Sequence, residues 1–95
     1  MKHSEALVAT PHGSQYIRNL CSHWAHSFRV VYSEQTEHIE LPQTICKLVA
    51  APSSLLLQLE LHGDADRTQM ENAIEEHLRR FANDEEIQVK WRRRS

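Results

Sequence analysis

The residues of this chain best suited to chemistry are its histidines. Seven occur among 95 residues, and imidazole is the commonest metal ligand and the side chain that titrates nearest neutrality. His23 and His26 stand three residues apart in a stretch whose periodicity predicts a helix. Two imidazoles at this spacing lie about one turn apart on adjacent positions and can share one ion. His23 and His26 are therefore candidate ligands for a metal ion, iron or zinc.

A third candidate ligand lies on a second predicted helix. His77 falls between Met70, Ile74 and Phe81, near the middle of the apolar face of that helix. A buried imidazole needs partners for both ring nitrogens, and a backbone group can supply one. If the two helices pack side by side, His77 can approach His23 and line a small pocket with it. A structural zinc site takes four protein ligands and a catalytic one typically three, so these histidines do not by themselves define a known site.

The other reactive residue types do not complete a catalytic site. A Schiff-base aldolase needs a lysine activated in an apolar pocket. Lys2 lies near the start of the sequence, and Lys47 and Lys90 alternate with apolar residues and so point away from the core. Cys21 and Cys46 are predicted to be buried thiols of a reduced protein. The sequence contains no glycine-rich phosphate loop and no nucleophile elbow.

Composition limits the class of protein. Ninety-five residues with 40% hydrophobic and 25% charged side chains are typical of one globular domain. The net charge of −2 gives no general attraction to nucleic acid or to an anionic membrane, and the basic segment Lys90–Arg94 is short. No apolar run approaches the roughly 20 residues of a membrane span, and no signal-peptide pattern precedes the first predicted strand. We predict a cytoplasmic protein without nucleic-acid or membrane partners.

Hydrophobic periodicity predicts the element order β-α-β-β-β-β-α-β. The eight elements are predicted at Glu5–Ala9, about 10–27, Phe28–Tyr32, His38–Leu41, Ile45–Val49, Leu55–His62, about 65–82 and Ile87–Trp91. Short links between the four successive strands predict an antiparallel meander with both helices on one face. The expected fold is an α+β two-layer sandwich formed by a single domain.

Local signals support both predicted helices. Thr10 and Pro11 are typical of a helix start, and Asp64 and Asp66 stand where the second helix begins. Two pairs of opposite charge four residues apart favour the second helix: Glu75–Arg79 and Glu76–Arg80.

The sequence resembles a small uncharacterised bacterial domain family over nearly its whole length. The resemblance rests on the segments His3–Ala6, Ala9–Pro11, Leu20–His26, His77–Ala82 and Trp91, of which the Cys-x-His-Trp-x-His block is the most specific. Members often carry the automatic name dihydroxyheptenedioate aldolase, and some are encoded beside siderophore or iron-uptake genes. The resemblance implies a bacterial cytoplasmic protein with a link to iron, and it brings no established active site.

Three functions are consistent with these residues. The first is a non-enzymatic accessory or binding module of iron or siderophore metabolism, which holds a metal ion or a small metal complex near the three candidate histidines. The second is a small enzyme that acts on an organic acid, with His23 or His77 as general base. The third is a protein-interaction domain that acts through an exposed sheet face carrying Gln58, Glu60 and His62.

Overall fold

In the part of the chain that the structure describes, alternating apolar and polar residues build an antiparallel sheet of six strands. The computed structural model of the chain describes residues 2–24, 29–32, 36–41, 43–82 and 86–94. The strands are β1 (Lys2–Ala9), β2 (Arg29–Tyr32), β3 (Thr36–Leu41), β4 (Thr44–Ala51), β5 (Ser54–Leu61) and β6 (Arg92–Arg94), and the helices are α1 (Gly13–Trp24) and α2 (Arg67–Phe81). The strands lie in the order β2-β3-β4-β5-β1-β6, with every neighbouring pair antiparallel. The predicted α+β fold and its element order are confirmed.

One face of the sheet packs against both helices and forms the core. Strand β5 shows why, because every second residue from Leu55 to Leu61 is leucine and all four are buried. The helices contribute buried apolar side chains to the same core: Ile17 and Leu20 from α1, and Ile74 and Leu78 from α2. Burying each such side chain stabilises the fold by about 1.5–3 kcal/mol. We call the other side of the sheet, where Leu7 and Lys47 are exposed, the open face.

Helix α1 begins close to the β4–β5 hairpin. It starts at Gly13, slightly later than the Thr10 signal predicts, although the Thr10 hydroxyl accepts a hydrogen bond from the His12 N–H at 3.0 Å as a capping residue does. A Cβ atom on Gly13 would lie 3.1 Å from the Ala50 Cβ and 3.3 Å from the Ser54 carbonyl oxygen. Glycine at this position therefore lets the helix approach the hairpin.

Helix α2 begins as its local signals predict. Asp66, rather than Asp64, is the N-cap, and its carboxylate accepts a hydrogen bond from the Gln69 N–H at 3.0 Å. The two predicted ion pairs form along the helix, Glu75–Arg79 at 3.0 Å and Glu76–Arg80 at 3.8 Å. Neither described helix has the length and apolar character needed to span a bilayer.

The last strand differs from its prediction. Residues 86–91 form no ladder, and β6 begins only at Arg92, where it pairs with β1. The predicted alternation is nevertheless present, since Ile87 is buried and Val89 and Trp91 pack against the core. Alternating burial reports an extended backbone lying over a core, whereas a strand also needs a partner for its hydrogen bonds. The predicted end of α1 near Ser27 lies outside the described residues.

Candidate functional site

The two helices bring His23 and His77 into contact. His23 lies in the last turn of α1 and His77 in the C-terminal half of α2. Their Nε2 atoms are 3.1 Å apart, and the ring centroids are 4.7 Å apart with the planes inclined by 50°. We call these two residues the histidine pair. Residues separated by 54 positions in the sequence thus present adjacent imidazole nitrogens.

A backbone hydrogen bond assigns the protons of the neutral pair. The Nδ1 atom of His77 lies 2.6 Å from the Ala73 carbonyl oxygen. A carbonyl oxygen can only accept, so Nδ1 of His77 donates and its Nε2 carries the lone pair when the ring is neutral. In the contact between the rings, the Nε2–H of His23 is then the donor. A backbone carbonyl bonded to the distal nitrogen is also what commonly orients an imidazole that binds a metal.

The pair lies at the surface rather than at the floor of an enclosed pocket. His23 is exposed and His77 is only half-buried, whereas the sequence placed His77 centrally on the apolar face of its helix. The residues beside it in that stripe, Ile74 and Leu78, take the buried positions. His77 is turned towards α1 instead of the sheet. Phe81, one turn further along α2, presents its ring edge-on to His23 at 6.5 Å.

The separation of the two nitrogens suits cis ligands of one metal ion. Zinc–imidazole bonds of 2.0–2.1 Å in tetrahedral geometry place two nitrogens about 3.3 Å apart, and trans ligands would be about 4.1 Å apart. The observed 3.1 Å is close to the first value. Within the part of the chain that the structure describes, no group of three or more His, Cys, Asp or Glu is placed to hold an ion. The candidate ligand His26 lies outside that part, so its role stays a prediction.

A second polar cluster, which the sequence analysis missed, surrounds Glu71. The Glu71 side chain is buried in α2 and accepts two hydrogen bonds from Arg93, Nη2–H to Oε1 at 2.8 Å and Nε–H to Oε2 at 3.1 Å. The Ser4 hydroxyl donates to Oε2 at 2.5 Å, and Arg93 also donates to the Thr68 hydroxyl at 3.1 Å. Burial raises the pKa of Glu71, but hydrogen bonds from Arg93 and Ser4 and the charges of Arg93 and Arg67 together bring the pKa below its usual value.

The Glu71 cluster, which comprises Ser4, Thr68, Glu71 and Arg93, joins α2 to β1 and β6. Its carboxylate oxygens both have donors, which is typical of a structural ion pair. Two signals in the sequence could have found it. Glu71 stands three residues before Ile74 on the apolar stripe of α2, and Arg93 continues the inward alternation of Ile87, Val89 and Trp91.

The open face carries the exposed residues that the sequence predicts. Gln58 and Glu60 are partly exposed and His62 is exposed. The Gln58 side chain donates to the Glu5 carboxylate at 3.2 Å, and the imidazole of His62 lies 3.0 Å from the Glu60 carboxylate. A depression of about 310 Å³ lies between these strands and β6, with Lys47 on its wall. The predicted orientation of Lys47 and Lys90 away from the core is confirmed, as is the burial of the Cys46 thiol.

Comparison with known proteins assigns the family. A family model described as "Uncharacterized protein conserved in bacteria (DUF2218)" matches residues 5–92. The chain belongs to the DUF2218 family. Its fold is similar to that in the NMR structure of PA4090 from Pseudomonas aeruginosa, with a TM-score of 0.81, 30% sequence identity, and 97% of this chain and 96% of that chain covered. None of the curated proteins matches it.

Membership of DUF2218 confirms one part of the resemblance seen in the sequence, a small bacterial domain of unknown function. The description of the family states no activity, so the aldolase name and the link to iron genes stay predictions. A role of His23 or His77 as general base is likewise a prediction that these comparisons do not test.

Proposed function

We propose that this DUF2218 chain is a non-enzymatic binding module of bacterial metal metabolism that acts in the cytoplasm. It holds a first-row transition-metal ion, or a small complex of that metal, through His23 and His77. The observation that carries the proposal is the 3.1 Å separation of two Nε2 atoms that belong to different helices. The Ala73 carbonyl orients the His77 ring before any ligand arrives, which lowers the conformational entropy lost on binding.

The chemistry of the donors favours a particular class of metal. Imidazole nitrogen suits zinc, copper, nickel and iron, whereas magnesium and calcium prefer oxygen ligands. Two protein nitrogens leave the remaining coordination positions to water, to His26 or to the donor atoms of a small chelator. Iron held by a small chelator is one such complex, in line with the iron-uptake and siderophore genes that the family resemblance implies. An incomplete set of protein ligands also favours reversible binding.

Metal binding by this pair competes with the hydrogen bond between its rings. The ion takes the place of the proton that His23 shares with the lone pair of His77. That proton moves to Nδ1 of His23, so that both Nε2 lone pairs can bind the ion. The hydrogen bond from Nδ1 of His77 to the Ala73 carbonyl at 2.6 Å stays in place during this exchange. A proton on either Nε2 atom would compete with the ion, so the neutral forms of both rings bind the metal.

The test is titration of the untagged full chain with zinc(II) and iron(II), monitored by calorimetry and by the ring signals of the histidines. We expect one metal ion per chain and shifts confined to the histidine pair and His26. His23→Ala and His77→Ala should each weaken binding at least tenfold. His62→Ala is the matched control, because this exposed histidine contacts Glu60 on the open face, and it should bind as the parent chain does. Equal affinity in the parent chain and in a variant lacking both members of the pair would overturn the proposal.

A further inference from the structure

The open face of the sheet carries an apolar row across its three central strands. Val49 on β4 is directly opposite Leu56 on β5, which is directly opposite Leu7 on β1. Leu7 is 65% exposed and Val49 is 38% exposed, and they are the exposed large hydrophobic residues of the described part of the chain. We call Val49, Leu56 and Leu7 the apolar row. Leu56, which lies between Val49 and Leu7, is partly exposed, and a contiguous apolar surface rimmed by polar residues is typical of an interaction site.

Two rows of polar and charged residues run beside the apolar row. In strand order β3-β4-β5-β1, the nearer row is His38, Lys47, Gln58 and Glu5. The farther row, in the same order, is Glu40, Ile45, Glu60 and His3. The nearer row thus has a histidine at its β3 end and an acid at its β1 end, and the farther row has the reverse. Such a surface can match a second copy that is rotated by 180° about an axis parallel to the strands, so that the β3 side of one copy meets the β1 side of the other.

We propose that the open face binds a second copy of this chain about a twofold axis that runs parallel to the strands, between β4 and β5. Such an axis places β4 over β5 of the other copy and β3 over β1 of the other copy. Each row of one copy then lies over the same row of the other copy. His38 then lies over Glu5 of the second copy, and Glu40 lies over His3 of the second copy. Every contact occurs twice, as in any isologous interface.

Two of the remaining inner contacts also match, whereas Ile45 lies over Glu60 of the second copy and offers it no polar partner. Val49 lies over Leu56 of the second copy, which removes the centre of the apolar row from water. Lys47 lies over Gln58 of the second copy, so the four inner strands bring no like charges together. At the rim, the registers place β2 of one copy over β6 of the other, outside the four inner strands.

Other twofold arrangements match less well. An axis perpendicular to the strands and through the nearer charged row would lay Lys47 over Lys47 and Glu5 over Glu5, which is repulsive. The same axis through the apolar row would leave both charges over the small side chains of Ala51 and Ala9. Of these three arrangements, the axis parallel to the strands matches the charges best.

The proposed contact uses the longest strands of the sheet. Strands β1, β4 and β5 each have eight residues and β3 has six. A standard stable interface takes roughly 800 Å² per partner, so the proposed dimer needs nearly the whole open face. Two sheets stacked in this way would pack as in a β-sandwich. Since the histidine pair joins the helices on the other side of the sheet, each dimer would carry two pairs on its outer surfaces.

Sedimentation velocity on the full chain over a range of concentrations tests the dimer. We expect a dimer in the parent chain and a dimer affinity at least tenfold lower in Leu7→Glu, since Leu7 is already 65% exposed and its replacement leaves the core intact. Gln69→Glu on the exposed side of α2 is the control and should behave as the parent does. A parent chain that stays monomeric at every concentration, or a Leu7→Glu variant that dimerises as well as the parent, would overturn the proposal.

A charge exchange tests the axis itself. Glu5→Lys places a cation over His38 of the second copy, and we expect it to weaken the dimer at least tenfold. Adding His38→Glu to the same chain creates an opposite-charge pair at both symmetry-related positions, and we expect the affinity to recover. Failure of the second change to restore any affinity would overturn the proposed axis. Circular dichroism of each variant shows whether the fold is retained.

Discussion

Helix α2 carries two polar clusters, one towards each end, and they differ in almost every physical respect. The Glu71 cluster encloses a charge that is 4% exposed and gives both carboxylate oxygens a donor from another element. The histidine pair lies at the surface, where the two rings contact one another across the helix boundary. The first cluster ties three elements together, whereas the second presents adjacent nitrogens to solvent. The comparison separates polar groups that stabilise a fold from polar groups that remain accessible to a ligand.

The difference follows from the cost of burial. A carboxylate removed from water must regain its hydrogen bonds inside the protein, and an unsatisfied one destabilises the fold. The Arg93 guanidinium meets this need by two parallel hydrogen bonds, and the Ser4 hydroxyl adds a third. An imidazole at the surface has no such requirement, because water can replace either partner. The contact between the two rings can thus be replaced by another one.

The largest effect on stability should come from breaking the Glu71 cluster. We expect Glu71→Ala to lower the free energy of unfolding by about 2–3 kcal/mol, because the Ser4 hydroxyl loses its acceptor and a cavity remains, while the half-exposed Arg93 regains water. His77→Ala should change it by no more than about 1 kcal/mol, since its contacts are partly exposed. Urea denaturation measures both. Equal losses in the two variants would show that the two clusters do not differ in the way described.

Acid should reduce the contribution of the Glu71 cluster to the free energy of unfolding. The pKa of Glu71 in the folded chain lies below its usual value, so between the two values the unfolded chain binds more protons. The ionised Glu71 carboxylate therefore makes its full contribution to the free energy of unfolding above the usual pKa of about 4.3. That contribution is lost as the pH drops through the lowered pKa of the folded chain. Glu71→Gln does not titrate there and is the control. Urea midpoints from pH 7 to pH 3 should show the advantage of the parent chain over this variant shrinking in acid, and a constant difference would contradict the linkage.

A smaller effect should come from a contact of intermediate burial. The indole N–H of Trp91 donates to the Glu75 carboxylate at 3.2 Å, while the ring packs against the core. Trp91→Phe keeps an aromatic ring and removes the donor, and we expect it to lower the free energy of unfolding by about 1 kcal/mol. Glu75→Gln keeps an acceptor for the indole and should cost less. A loss in Trp91→Phe as large as that in Glu71→Ala would mean that the packing of the indole dominates.

Local signals in the sequence predicted most of the fold. The leucines of β5 alternate because one face of the strand is buried, and the Asp66 carboxylate caps α2 because the first N–H groups of a helix need acceptors. The amphipathic faces of both helices predict that they share one face of the sheet, and the approach of His77 to His23 followed only on the condition that the helices pack side by side. What the sequence could not predict was how close His23 and His77 would come, because that distance depends on the relative placement of two helices on a sheet.

The order of the strands was equally beyond local signals. Strand β1 inserts between β5 and β6, and no pattern within Lys2–Ala9 states which strands will be its neighbours. The Glu71 cluster depends on that order, because it is the pairing of Ser4 with Arg93 across β1 and β6 that brings both donors to one carboxylate. A polar residue on an apolar stripe was visible in the sequence, but its partners came from distant segments.

The place of β1 in the sheet also bears on how the chain reaches its fold. Strands β2 to β5 pair with their neighbours in sequence, so closing each hairpin costs little loop entropy. Strand β1 instead pairs with β5, where Ala9 faces Ser54, and with β6, where Glu5 faces Arg92. These pairings close loops of tens of residues, and non-local contacts of this kind slow folding. The meander β2–β5 is therefore expected to form early. Strand β1 then pairs with β5, and β6 pairs with β1 last.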